Sequence, residues 1–135
     1  MRISIKEHLL ETMQKRQWVS SEIVRTLMEY PDCMNGDLNK RKVYQVAVQY
    51  FVEKQNECRT ITQQVYFGNH REEIELCILL DCYQAAQGSE KQEYVKKIAL
   101  KLIETQEYYL MRISEQIKKE AFQITIQYFE EQMRT

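Results

Sequence analysis

The chain has 135 residues, 29% of them charged, and a formal net charge of −1. That length supports one domain with a real core plus an extension, not two ordinary domains. With only 3 Gly and 1 Pro, an all-β or loop-rich fold would lack its turn residues, so an all-α fold is expected.

The near-neutral balance also excludes the strongly basic composition that dedicated nucleic-acid binders often carry. Residues 1–60 hold ten Lys/Arg against eight Asp/Glu, and residues 61–135 hold nine against twelve. This asymmetry is too small to identify a polyanionic partner. Cys33, Cys58, Cys77 and Cys82 lack the CxxC spacing of a zinc ribbon and read as free thiols of a reducing, cytoplasmic protein. No window approaches the roughly 20 apolar residues that span a bilayer, so no membrane partner is expected.

Ser4 with Glu7 forms a capping-box signature, and Leu9, Leu10 and Met13 follow at helical spacing, predicting a helix over about 4–16. Ser20 or Ser21 caps a second helix carrying Ile23, Val24, Leu27 and Met28, and Pro31 with DCMNGD stops it. Asp37 or Asn39 caps a third, with Val43, Val46, Ala47, Tyr50 and Phe51 on its inward stripe. The three close a trihelical core around Trp18. Residues 58–68, rich in β-branched and aromatic types, read either as a small β-hairpin or as continued helix.

Asn69 with Glu72 opens a fourth, central helix whose apolar stripe is Ile74, Cys77, Ile78 and Cys82, with Gly88 as its stop. Ser89 with Gln92 then opens a run to the C-terminus that contains no Gly or Pro. Val95, Ile98, Leu102, Tyr109, Ile113, Ile117, Ala121, Ile124 and Tyr128 keep mostly three- and four-residue steps, the pattern of a long amphipathic helix or coiled coil. Continuous, it would extend about 65 Å at 1.5 Å per residue. A globule of the remaining residues would be only about 25–30 Å across. Either the helix breaks near Tyr108–Met111, or a second chain covers it. Phe122, Ile124, Ile126 and Tyr128 also alternate with polar residues at a strand's period, but the flanking EQIKKEA and EEQM favour helix.

Few constellations carry chemistry. His70, Glu73, Cys77 and Asp81 share one helical face, but no second helix offers ligands, so solvated side chains are the better reading than a metal site. No phosphate-cradle, HExxH or nucleophile-elbow motif occurs. The chain is therefore read as non-catalytic, with no cofactor.

The segment Trp18–Lys54, WVSSEIVRTLMEYPDCMNGDLNKRKVYQVAVQYFVEK, resembles the three-helix portion of winged-helix repressors of the penicillinase-repressor type. The resemblance implies a helix-turn-helix core whose third helix enters the DNA major groove, then a wing hairpin, then a helical dimerisation region. Lys40, Arg41 and Lys42 would grip phosphates, while Arg41, Tyr44 and Gln45 point away from the core stripe toward base edges. Val48 and Val52 lie on that same outward side, which suits a second packing surface instead.

The organisation expected is a helix-turn-helix-like domain over 1–68 and a helical dimerisation region over 69–135. Its interface would be Tyr109, Ile113, Ile117, Ile124, Ile126, Tyr128 and Phe129. The functional reading is a homodimeric regulator of double-stranded DNA. The alternative is an all-helical module that binds a protein partner, such as an adaptor or an inhibitor carried by a mobile element.

Overall fold

The computed structural model describes residues 4–15, 20–60 and 71–134, and every regular element among them is a helix. In chain order these are α1 (Ile5–Lys15), α2 (Ser20–Glu29), α3 (Lys40–Glu57), α4 (Arg71–Ala85), α5 (Ser89–Glu104), α6 (Glu107–Leu110) and α7 (Glu115–Arg134). They fall into two compact units, one of Met1–Tyr50 with Phe129–Thr135 and one of Phe51–Tyr128. The chain leaves the first unit within α3 and re-enters it within α7.

In the first unit, the capping box forms as read. The Glu7 N–H donates to Ser4 Oγ at 3.1 Å and the Ser4 N–H donates back to Glu7 Oε2 at 3.4 Å, satisfying amide donors that a helix start leaves orphaned. Leu9 on α1 and Ile23, Val24, Leu27 and Met28 on α2 are buried. The connection to α3 turns at Gly36, whose φ of 77° is left-handed backbone that glycine adopts without penalty. Asp37 then accepts the Asn39 N–H at 2.7 Å and pairs with Lys6 at 3.3 Å. The Asn39 amide, with Lys6 adding to it, holds the Asp37 carboxyl below the usual carboxylate range. On α3, Val43, Tyr44 and Ala47 turn inward. Tyr44 stacks tilted on Phe129 at a centroid distance of 6.1 Å, and its hydroxyl donates to the Pro31 carbonyl at 3.2 Å.

The second unit is built on α4, which packs against α5, and on α7. Within it α7 buries Lys118, Ala121, Phe122 and Thr125, steps of three, one and three that define one helical face. Phe122 meets Phe51 edge-on at 6.4 Å. The Thr125 hydroxyl is satisfied by the Ala121 carbonyl at 2.9 Å. These residues resolve the strand-like alternation of 122–128 as helix.

Three sequence expectations change here. First, the C-terminal run is not one helix: backbone at Thr105 and Gln106 turns extended, α6 adds a single turn, and α7 restarts at Glu115. No glycine or proline causes this; the orphaned backbone groups find side-chain partners. Lys54 Nζ donates to the Ile103 carbonyl at 3.1 Å. Thr60 Oγ1 donates to the Ile113 carbonyl, and the Ser114 N–H donates to Glu73 Oε1 at 2.9 Å. Second, Ser89 makes no capping box, because it lies inside α5, and Gly88 (φ 62°) holds the N-cap position. Third, α4 is rotated from its expected phase: Ile74 and Ile78 are exposed, while Glu73, Leu76 and Leu80 are buried. The helix is apolar nearly all round, so its pattern carries no phase, and the Glu73 to Ser114 hydrogen bond sets one. The wing, Trp18, and the Asn69 capping box lie outside the described residues, 58–60 excepted.

A buried cation completes the second unit. Lys118, only 2% exposed, donates to the Cys58 carbonyl and pairs with Glu115 at 3.3 Å. Burial lowers its pKa despite the Glu115 charge. Between that lowered value and the ordinary lysine range, the unfolded chain binds more proton than the folded one, so this group makes stability rise with pH. Urea midpoints from neutral to alkaline pH should therefore show wild type gaining stability relative to Lys118→Met as pH rises; a constant difference would refute the assignment. Separately, Phe51→Ala and Phe122→Ala should each cost about 3–5 kcal/mol in denaturant unfolding. Because the rings touch, the double variant should lose less than the sum.

Candidate interaction surfaces

The cations at the head of α3 follow from its sequence: KRK opens the helix with no acidic residue in its first turn. Arg41, Lys42 and Gln45 are exposed, and Lys40 is half-buried with its ammonium 6.0 Å from the Tyr44 ring centroid. Tyr44 itself is 1% exposed, which removes it from the outward set and makes it part of the core. The reason is geometric: it lies next to Val43, and the Phe129 ring and the Pro31 carbonyl give its ring and its hydroxyl partners inside the unit. Beyond Gln45, the half-buried Val48 and the exposed Val52 continue the outward side of α3.

A second surface forms where the long helix breaks. Leu110, 1% exposed, anchors α6, and this leaves Tyr108 and Tyr109 at 58% and 37% exposure. Their rings meet edge-to-face at 5.3 Å. The Arg112 guanidinium lies 5.4 Å from the Tyr108 ring centroid and donates from Nη1 to the Tyr108 hydroxyl at 2.9 Å. Three side chains rich in contact area are thus held in place on the surface. Ile74 and Ile78, one turn apart on α4, add exposed apolar area in the same unit.

The residues read as an interface separate into three groups. Tyr109 is exposed, Ile117, Ile124, Ile126 and Tyr128 are half-buried, and Ile113 and Phe129 are buried in the chain's own core. Ile113 and Phe129 are thereby spent on folding. Sequence reasoning, which read Tyr108, Tyr109 and Tyr128 as a tyrosine-rich helix surface, missed Arg112 as the partner of Tyr108, although their i, i+4 spacing is a readable signal. It also missed Ile74 and Ile78, which were placed inward for want of a phase.

Among the described residues, no group of three or more His, Cys, Asp or Glu side chains is gathered to hold a metal ion, and His70 lies outside those residues. Glu73, read as solvated, is instead buried and bonded to Ser114. Burial pushes the thiols of Cys33, Cys58 and Cys77 up, which opposes thiolate formation and nucleophilic reactivity. No helix among the described residues is long and apolar enough to cross a membrane. Comparison of the chain with protein-family models, with curated proteins and with solved structures finds no match.

Proposed function

We propose that the chain is a non-catalytic helical interaction module that binds protein, a second copy of itself included, through the α6 corner. The observation that carries this reading is the fixed cluster of Tyr108, Tyr109 and Arg112. Tyrosine and arginine dominate binding energy at interfaces, because each offers large area with a polar rim group. Here the arginine stacked on and bonded to Tyr108 also holds the ring before binding, which reduces the side-chain entropy lost on association.

Light scattering of the wild-type chain at about 50 µM should give the mass of a dimer, with association growing with concentration. Tyr108→Ser/Tyr109→Ser should weaken self-association by roughly 100-fold, the loss of two contacts of 1–2 kcal/mol each. Both side chains are exposed, so helicity and urea midpoint should stay near wild type. A wild-type monomer throughout, or a variant that dimerises equally well, removes the corner from the reading.

A second reading is favoured by one specific observation, the exposed Arg41, Lys42 and Gln45 on the first two turns of α3. As a double-stranded DNA contact, these residues supply phosphate grip and one side chain able to reach a base edge. Binding to generic duplex should then weaken with added salt, and Arg41→Ala/Lys42→Ala should reduce the log–log salt slope by about 2. Absence of duplex binding at low salt eliminates this reading and leaves the first intact.

A further inference from the structure

Alongside the head of α3, in the first unit, lies an open groove of about 360 Å³ lined by Arg41, Gln45 and Val48 of α3 and by Glu130, Met133 and Arg134 of α7. Its size is at the small end of the range for ligand pockets, about 300–1,000 Å³. The two helices are brought together by the pairing of Tyr44 with Phe129, each next to the groove in sequence. The concavity is therefore a product of the core and not of a loose surface.

The chemistry of the lining is mixed in a particular way. Arg41 and Arg134 supply two guanidinium groups, Glu130 one carboxylate, Gln45 one amide, and Val48 and Met133 an apolar wall. Among the described residues, none of the four polar groups makes a hydrogen bond or ion pair with any other. Arg41, Gln45 and Arg134 are exposed and Glu130 half-buried, so water satisfies these groups in the free chain and their hydrogen-bonding capacity is open to a ligand that displaces it. A simple anion would use the arginines but would meet Glu130 as a like charge. A simple cation would meet two guanidinium groups.

We infer that the groove binds an amino-acid-sized zwitterion with an aliphatic side chain. Its carboxylate is taken by Arg41 and Arg134, whose forked donors match carboxylate geometry. Its ammonium is taken by Glu130 with the Gln45 amide oxygen, and its side chain lies on Val48 and Met133. This inference is independent of the α6 corner, which belongs to the other unit.

L-leucine is the probe, followed by calorimetry and by its effect on thermal unfolding of the full chain, alongside leucinamide, which lacks the carboxylate, and 4-methylpentanoate, which lacks the ammonium. Leucine should bind and raise Tm, and each single-function analogue should bind at least roughly tenfold more weakly, since each loses one set of charge-assisted hydrogen bonds. Arg41→Ala and Arg134→Ala should each weaken leucine binding roughly tenfold. Glu130→Gln should weaken leucine but not 4-methylpentanoate, a split that general damage to the unit would not produce. Overturning results are no heat and no Tm shift at about 10 mM leucine, or equal binding of leucine and 4-methylpentanoate with indifference to Glu130→Gln.

Discussion

The structure turns on a break that the local sequence does not demand. Between Glu104 and Glu115 the C-terminal run stops, makes one helical turn and restarts, with neither glycine nor proline in it. Interrupting a helix orphans carbonyls on one side and amides on the other, and each orphan left dry costs on the order of 1–3 kcal/mol. Here Lys54 comes from α3, Thr60 from the segment after it and Glu73 from α4 to satisfy the Ile103 and Ile113 carbonyls and the Ser114 amide. The break is thus a tertiary feature: it exists because three other parts of the chain cap it.

Two consequences follow from that break. A continuous helix would have carried much of its apolar stripe beyond any covering surface. Broken, the run buries Val95, Ile98, Ala99 and Leu102 on α5, Leu110 on α6 and Ile113 before α7. The break also has an outer side. A one-turn helix cannot hide two adjacent tyrosines, so with Leu110 inside, Tyr108 and Tyr109 face solvent, and Arg112 at the next turn closes on Tyr108. The exposed cluster of Tyr108, Tyr109 and Arg112 is the by-product of the break.

How much of this was legible depends on whether a feature is local. The Ser4 to Glu7 capping box, the α2 stripe and the helical reading of residues 122–128 were decided by neighbours three and four residues apart, and these the structure bears out. The α4 phase was not legible, because REEIELCILLDCYQA offers apolar residues on nearly every side and the choice falls to a hydrogen bond 41 residues away. Tyr44 failed for a related reason. Its ring fits either an outward base-reading role or a core, and Phe129, 85 positions on, decides it. The head of α3 was legible as charged and exposed, but its neighbour across the groove was invisible until the end of α7 was placed.

That neighbour bears on what α3 can contact. Major-groove readout requires a helix that stands proud enough to enter a channel about 12 Å wide. With Phe129 drawn onto Tyr44, the outward line from Arg41 through Gln45 to Val48 is one wall of a concavity whose other wall is Glu130, Met133 and Arg134. Glu130 there would face approaching phosphate with a like charge. A ridge has become the side of a groove. Lys42 is exposed and is not part of that lining, so a duplex contact at this end would draw its phosphate grip from Lys42 and Arg41 and any base-edge contact from Gln45 on the groove wall.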